Sequence, residues 1–128
     1  SIGAFATEKQ QLVGYMVCYR DRSDEHDDDI AYASDLAVLP DWRVGKHRSI
    51  GRSLALRISA GVLCRIRRLG LPLEAEFRLG SRHLILKHPN VMASLGYRLA
   101  DERRLPDYRG GEDFYWLRLE PLPDRVQI

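Results

Sequence analysis

Residues 35–54 read DLAVLPDWRVGKHRSIGRSL, and the rest of the chain is interpreted outward from this stretch. An apolar, strand-like segment ends at Pro40, a loop rich in Arg, Lys, His and Gly follows, and a helix begins after Ser49. The first turn of a helix leaves backbone N–H groups without partners, and with the positive end of the helix dipole they bind anions. The stretch therefore predicts a phosphate-binding junction, although the same basic residues also fit a solvated loop.

The helix after Ser49 is the longest amphipathic element that the sequence predicts. Most of its arginines lie off the apolar line, and Gly70 is suited to end it. The apolar stripe consists of Ile50, Leu54, Ile58, Val62 and Ile66. This spacing predicts that one face of the helix is buried.

Upstream of the junction, three segments rich in β-forming residues predict a meander of strands. They are Ser1–Glu8, Leu12–Arg20 and Ile30–Leu39. Between the last two lies the polar run DRSDEHDDD, Asp21–Asp29, which predicts a solvated loop. Its acidic residues would also attract a cationic amine or a basic partner, but a solvated loop is the preferred interpretation.

Downstream, a second group of elements completes the predicted sheet. Leu71–Phe77 is expected to be a fourth strand and Ser81–Lys87 a short helix, whose continuation Pro89 restricts. Leu95-Gly96-Tyr97 is typical of a helix that passes into a strand. The alternating aromatic and aliphatic residues of Asp113–Glu120, DFYWLRLE, predict the final strand.

Length and composition exclude several classes of protein. The 128 residues predict one domain, 1–128. A net charge of +2, from 20 basic and 18 acidic residues, gives no strong field, so nucleic-acid or membrane binding cannot be argued from the charge balance. Cys18 and Cys64 lack the spacing of a zinc site or a disulfide scaffold and predict buried thiols in a reducing cytoplasm. No apolar run approaches the roughly 20 residues that span a bilayer, so we expect a cytoplasmic protein.

Two motifs resemble signatures of the GNAT superfamily of N-acetyltransferases. The first is the strand, aromatic, arginine and glycine-containing turn of residues 36–53, in which Arg48–Ser53 corresponds to the pyrophosphate motif, with Ser53 where Gly or Ala is usual. The second is Ser94-Leu95-Gly96-Tyr97-Arg98, followed by the aromatic strand Phe114–Leu119. Lys87-His88-Pro89 ahead of the second motif resembles small phage-encoded members.

The resemblance implies an α+β fold, with a central mixed, mostly antiparallel sheet flanked by helices and without the family's usual first strand and helical pair. It also implies acetyl-CoA as cosubstrate and transfer of an acetyl group to a primary amine, which is a protein lysine, an N-terminus or a small molecule. The acetyl group would lie in the opening between the third and fourth strands. The implied cofactor-binding residues are Leu36, Ala37, Val38, Arg43, Val44, Gly45, Lys46, His47, Arg48, Ser49, Ile50, Gly51, Arg52 and Ser53.

The catalytic base expected from the resemblance is not at its usual position. Many relatives carry a glutamate where this chain has Ser34. Glu74 and Glu76 share one face of the fourth predicted strand and are the candidate bases, acting directly or through water. The same pair also fits a solvated face of the sheet.

The usual catalytic acid, a tyrosine, is also absent, because its position is Met92. His88 and Tyr97 are the nearest candidates, although Tyr97 also fits a core position and His88 a turn. His83 and His88 have no Cys or carboxylate at a spacing that completes a metal site, so we predict no metal.

Two other functions stay open. Without the usual Glu and Tyr, a GNAT-like domain can act by binding a partner protein instead of by catalysis. A nucleic-acid-binding module would use the basic residues Arg43, Lys46, His47, Arg48 and Arg52. The amine acceptor and the oligomeric state, including a homodimer, are likewise open.

Overall fold

A computed structural model describes residues 2–8, 11–39, 48–78 and 89–123. In these ranges six strands form one sheet in the order β1-β2-β3-β4-β6-β5. The elements are β1 (Ile2–Glu8), β2 (Gln11–Arg22), β3 (Asp29–Val38), α1 (Arg48–Arg68), β4 (Leu73–Arg78), α2 (Pro89–Ser94), β5 (Tyr97–Arg109) and β6 (Glu112–Pro121). Only the β3–β4 pair is parallel, so the predicted mixed, mainly antiparallel α+β architecture is confirmed.

Helix α1 packs on one face of this sheet. Ile58, Val62 and Ile66 are buried as the apolar stripe predicts, and Leu63 is buried beside them. The side chains of Ile50 and Leu54 lie outside the described residues. The sheet contributes Cys18, Ala31, Leu73, Leu117 and Leu119, among others, to the same core. Burial of this apolar surface is the main stabilising contribution, at about 25 cal/mol per Å².

Strand alternation separates the two faces of the sheet. In β4, Leu73 and Ala75 belong to the core with α1, and Glu74 and Glu76 alternate with them on the opposite face. Trp116 pairs with Glu76 across the β4–β6 ladder and therefore lies on that second face. The second face carries the polar residues that form the site described below.

The parallel pairing between β3 and β4 is short. It comprises Ala31 with Leu73, Tyr32 with Glu74 and Ala33 with Ala75. Beyond these pairs β3 continues to Val38 with β2 as its only partner among the described residues, while β4 continues beside β6. The two strands therefore diverge after Ala33 and Ala75 and leave an opening in the sheet.

A β-bulge marks the point where β3 leaves β4. The register with β2 shifts between Val17, opposite Asp35, and Cys18, opposite Ala33, so Ser34 has no opposite residue. The hydroxyl of Ser34 donates to the carbonyl of Val17 at 3.2 Å. A bulge interrupts the regular alternation of a strand, so alternation within β3 cannot be extrapolated through Ser34.

Gly96 connects α2 to β5, as the sequence predicts. Its φ is 88°, and the N–H of Leu122 donates to its carbonyl at 2.7 Å. Pro89 is the first residue of α2, a position where its missing N–H costs nothing, and its predicted restriction of the preceding helix stays a prediction. The predicted helix at Ser81–Lys87 lies outside the described residues.

The two cysteines differ in their environments. Cys18 is fully buried, and burial raises the pKa of its thiol to about 11. Cys64 is exposed on α1, so the prediction of two buried thiols is wrong for this residue. Cys64 lies on the side of α1 that faces away from the sheet, which explains the difference.

Among the described residues, neither helix is both long and apolar enough to cross a bilayer.

Candidate active site

The opening between β3 and β4 lies next to the start of α1 along the chain. Leu36, Ala37 and Val38 pair with β2 on one edge of β3. In the described part of the chain no strand pairs with their other edge, which faces the opening. Such an edge can bind an extended ligand through its backbone, as an added strand does.

The residues predicted to bind a cofactor fall into three groups. Leu36, Ala37 and Val38 end β3, and 48–53 form the first turns of α1. The 21-residue helix begins at Arg48, so its unpaired N–H groups belong to this predicted group. Outside the described residues lie Arg43, Val44, Gly45, Lys46 and His47.

A pocket of about 290 Å³ lies on the sheet face opposite α1. Its walls combine aromatic rings with charged groups from β3, β4, β5 and β6. The wall residues discussed below are Tyr32, Glu74, Glu76, Arg103, Tyr108 and Trp116, with Asp24 and Glu25 from the β2–β3 loop. Both candidate bases therefore line one pocket.

Glu74 is held in a buried ion pair. Its Oε2 accepts hydrogen bonds from the Ser23 hydroxyl at 2.6 Å and from Nη1 of Arg118 at 2.7 Å. Arg118 is also buried and donates to Asp28 at 2.6 Å and to Glu120 at 3.2 Å. Burial opposes the charge of Arg118, but hydrogen bonds to Asp28, Glu74 and Glu120 raise its pKa above the usual value. Oε2 of Glu74 is therefore already occupied by two hydrogen bonds.

Glu76 is the freer of the two carboxylates. Its Oε1 accepts a hydrogen bond from the Tyr108 hydroxyl at 3.0 Å. Its Oε2 is buried and lies 3.4 Å from Nη2 of Arg109, but it accepts no hydrogen bond. Glu76 is also the first residue of β4 after the pairing with β3 ends. Glu76 thus lies beside the opening with a looser contact to an arginine, at 3.4 Å, than the 2.7 Å contact of Glu74.

Tyr97 lies in the core and not in the pocket. Its hydroxyl donates to the carbonyl of Leu71 at 2.7 Å, and burial raises its pKa above the usual value. The side chain joins the start of β5 to the segment between α1 and β4. This environment favours a structural role for Tyr97 over proton donation. Met92 is buried in the same core, and His88 lies outside the described residues.

Sequence reasoning missed the aromatic and arginine residues of the pocket. Burial, with the nearby Glu76 carboxylate, raises the pKa of Tyr32 to about 12. The guanidinium of Arg103 lies 4.4 Å from the ring centre of Trp116 and forms an ion pair with Glu25. The DFYWLRLE pattern predicted a strand, but only the register with β5 puts Arg103 opposite Trp116.

The acidic loop is less solvated than predicted. β2 extends to Arg22 and β3 begins at Asp29, which leaves residues 23–28 as the loop. Ser23 is buried, and its N–H donates to the carbonyl of Asp28 at 2.8 Å. The hydrogen bond from Arg118 lowers the pKa of Asp28. The loop is therefore anchored to the sheet at both of its ends.

Within the described ranges, no three His, Cys, Asp or Glu side chains are grouped so that they could hold a metal ion. His83 and His88 lie outside those ranges, so the absence of a metal stays a prediction.

Several solved structures share this fold at low sequence identity. The ribosomal-protein-S18-alanine N-acetyltransferase from Escherichia coli is 18% identical, with a TM-score of 0.60 over 99% of this chain and 73% of that protein. The structure of yncA from Salmonella typhimurium with its cofactor acetyl-CoA is 17% identical, with a TM-score of 0.63 over 98% and 67%. The Bacillus subtilis N-acetyltransferase YlbP in complex with coenzyme A is 19% identical, with a TM-score of 0.53 over 96% and 70%.

No family model matches the sequence, and no curated protein matches it. The structural class is nonetheless well defined: an α+β domain whose mixed sheet opens where its one parallel pair of strands diverges. This is the fold of the GNAT N-acetyltransferases, as the two sequence motifs predict.

Proposed function

We propose that the protein is an acetyl-CoA-dependent N-acetyltransferase that acts on a primary amine. The observation that carries the proposal is the unpaired edge of β3 at residues 36–38, followed along the chain by the start of α1. A strand edge suits the amide groups of a pantetheine arm, and the start of a helix suits a pyrophosphate. Similar folds that hold acetyl-CoA or coenzyme A, yncA and YlbP, support this assignment.

In this proposal the cofactor is bound mainly by backbone groups. The backbone of Leu36, Ala37 and Val38 bonds the pantetheine arm. The pyrophosphate is bound by Arg43, Val44, Gly45, Lys46, His47, Arg48, Ser49, Ile50, Gly51, Arg52 and Ser53. Backbone N–H groups give this set its geometry, and its arginine, lysine and histidine side chains add positive charge.

Glu76 is the proposed general base. The acceptor ammonium gives a proton to Glu76, directly or through water, and the nitrogen lone pair attacks the thioester carbonyl carbon. The C–N bond forms, the C–S bond breaks with its electron pair on sulfur, and the second proton lost by the nitrogen protonates the coenzyme A thiolate. Glu74 is the weaker candidate because Arg118 already binds it at 2.7 Å.

Gly51→Glu tests the cofactor site. Gly51 lies in the first turn of α1, where a carboxylate side chain would repel a pyrophosphate. By isothermal calorimetry, we expect one-site binding of acetyl-CoA to the wild type and at least a roughly tenfold weaker affinity for the variant, about 1.4 kcal/mol. Gly61→Glu is the matched control, because Gly61 is exposed on the same helix and a Cβ there meets nothing within 4 Å. Equal affinities in the two folded variants would contradict the site.

Glu76→Gln tests the base. We expect kcat to fall by about 10²- to 10⁴-fold, the usual contribution of a general base, with the affinity for acetyl-CoA unchanged. Glu102→Gln is the control, since the register places exposed Glu102 opposite Leu117, on the α1 side of the sheet. An unchanged kcat for Glu76→Gln would rule out Glu76. Binding of acetyl-CoA without turnover on any amine would instead favour a partner-binding module.

A further inference from the structure

The pocket on the second face carries an excess of negative charge. Five carboxylates line it, Asp21, Asp24, Glu25, Glu74 and Glu76, against two guanidiniums, Arg22 and Arg103. Two further arginines, Arg109 and Arg118, contact Glu76 and Glu74, and they still leave the carboxylates in the majority. A pocket of this composition attracts a cation and repels an acidic ligand.

Most of these charged groups have a partner within the protein, but not all of them do. The guanidinium of Arg22 forms ion pairs with Asp27, at 2.9 Å, and with Asp29, at 3.6 Å. Asp24 has no ion pair or hydrogen bond within the described part of the chain, and Glu76 has one oxygen that accepts no hydrogen bond. Asp24, on the loop, is therefore the carboxylate of these five without a partner in the described residues, whereas Glu76, beside the opening, also contacts Arg109 at 3.4 Å.

The aromatic walls of the pocket also suit a cation. Tyr32, Tyr108 and Trp116 line the pocket, and the π faces of such rings attract ammonium and guanidinium groups. The chain already uses this property, because the Arg103 guanidinium lies over Trp116 at 4.4 Å and pairs with Glu25. Arg103 thus occupies a place where a positively charged group is favoured by a ring face and a carboxylate together.

The size and position of the pocket further limit the kinds of ligand that fit it. Its volume of about 290 Å³ is at the lower limit for small-molecule sites, which suits a slender aliphatic stem. Glu76, the proposed base, is the first β4 residue beyond the last β3–β4 pair. A ligand that passes Trp116 and puts its nitrogen at Glu76 therefore delivers it to the opening where the thioester is proposed to lie.

We infer that this pocket binds the acceptor as an alkylammonium on an aliphatic stem, and that Arg103 in the free protein occupies the wall beside Glu25 and Trp116 as a built-in competitor. The inference rests on the proposed function for the transfer itself, but not for the binding of the cation. The same chemistry has two sources, a lysine side chain in a peptide and a free polyamine.

Binding without acetyl-CoA tests the pocket separately from the enzyme activity. Isothermal calorimetry would compare spermidine, an N-terminally blocked peptide with one lysine, and an acidic peptide with a free N-terminus. We expect spermidine or the lysine peptide to bind, and the better of the two identifies the source. Binding of the acidic peptide alone, or of none of the three, would overturn the inference.

Substitutions that remove a negative charge test whether the pocket walls bind the cation. Asp24→Asn combined with Glu25→Gln should weaken binding of the cation by about three- to tenfold, the effect of two partly exposed ion pairs. Glu102→Gln, on the other face of the sheet, should leave it unchanged. Equal effects of the two substitutions would show that only overall charge matters and would refute a defined pocket.

Arg103→Met tests the competitor. Removal of the guanidinium frees Glu25 and the face of Trp116, so the affinity for the cation should rise by at least about threefold. A weaker affinity in a variant with wild-type circular dichroism would mean that Arg103 binds a carboxylate of the acceptor, which would overturn the inference. If amines bind but acetyl-CoA does not, the proposed function is contradicted and the acceptor pocket is supported. If acetyl-CoA binds but amines do not, the acceptor pocket alone is contradicted.

Discussion

At the scale of single residues, Tyr97 shows how a motif position can be structural. The side chain is 1% exposed and its hydroxyl bonds the carbonyl of Leu71. Tyr97→Phe leaves this buried carbonyl without a partner, so the free energy of unfolding should fall by about 1–3 kcal/mol. Urea unfolding measures this loss, with Tyr19→Phe as an exposed control. A large loss of kcat at unchanged stability would reverse the assignment and make Tyr97 catalytic.

Glu74 and Glu76 lie two positions apart in one strand but differ in their partners. Glu74 faces Arg118, which is 44 residues away in the sequence, and Glu76 faces Tyr108, 32 residues away. The sequence predicted that the two share a face, which the alternation of β4 confirms. It could not predict which of them is neutralised, because that depends on the pairing of β4 with β6.

At the scale of elements, the junction of α2 with β5 depends on a residue without a side chain. Gly96 has a φ of 88°, and a Cβ there would lie 2.8 Å from Nε of Arg67. Gly96→Ala should therefore lower the free energy of unfolding by about 1–2 kcal/mol through its backbone conformation alone.

The control for this junction is Gly61→Ala in α1, where a Cβ meets nothing within 4 Å. In a helix interior this change should raise stability by roughly 0.5–1 kcal/mol. Chemical denaturation of the two variants should thus give shifts of opposite sign. A stabilised Gly96→Ala would contradict the described geometry.

The elements themselves were predictable where local patterns decide them. The apolar stripe predicted helix α1, and the alternation of residue types predicted strand β6, because each pattern lies within one segment. The start of α2 was not predicted, because its six residues, Pro89–Ser94, are too few to show a helical period. The anchored acidic loop was missed because its partner, Arg118, lies 90 residues beyond Asp28.

At the scale of the whole molecule, the Arg118 ion pairs join the loop, β4 and β6, and they make stability depend on pH. The hydrogen bond from Arg118 lowers the pKa of Asp28 below its usual 3.8, against the smaller opposing effect of burial. The folded state therefore favours the ionised carboxylate. This contribution is complete above the usual pKa and is lost as the pH falls through the lower pKa of the folded state.

Asp28→Asn tests this linkage. The variant should be less stable than the wild type near neutral pH, and the difference should shrink as the pH falls below 3.8. Urea titrations between neutral and acidic pH measure it. A difference that stays constant over this range would show that Asp28 acts through packing and not through its charge.

The short β3–β4 pairing has a consequence for how the molecule opens. Three residue pairs join a block of β1, β2 and β3 to a block of β4, β6 and β5, and within each block the ladders are longer and antiparallel. A partial opening along this seam breaks few ladder hydrogen bonds, together with the contacts of Arg118 with Asp28 and of Ser23 with Glu74. In hydrogen-exchange experiments, the amides at the seam should therefore exchange through a lower-energy fluctuation than those inside the hairpins. We therefore expect two cooperative units that meet where the acetyl group is proposed to lie.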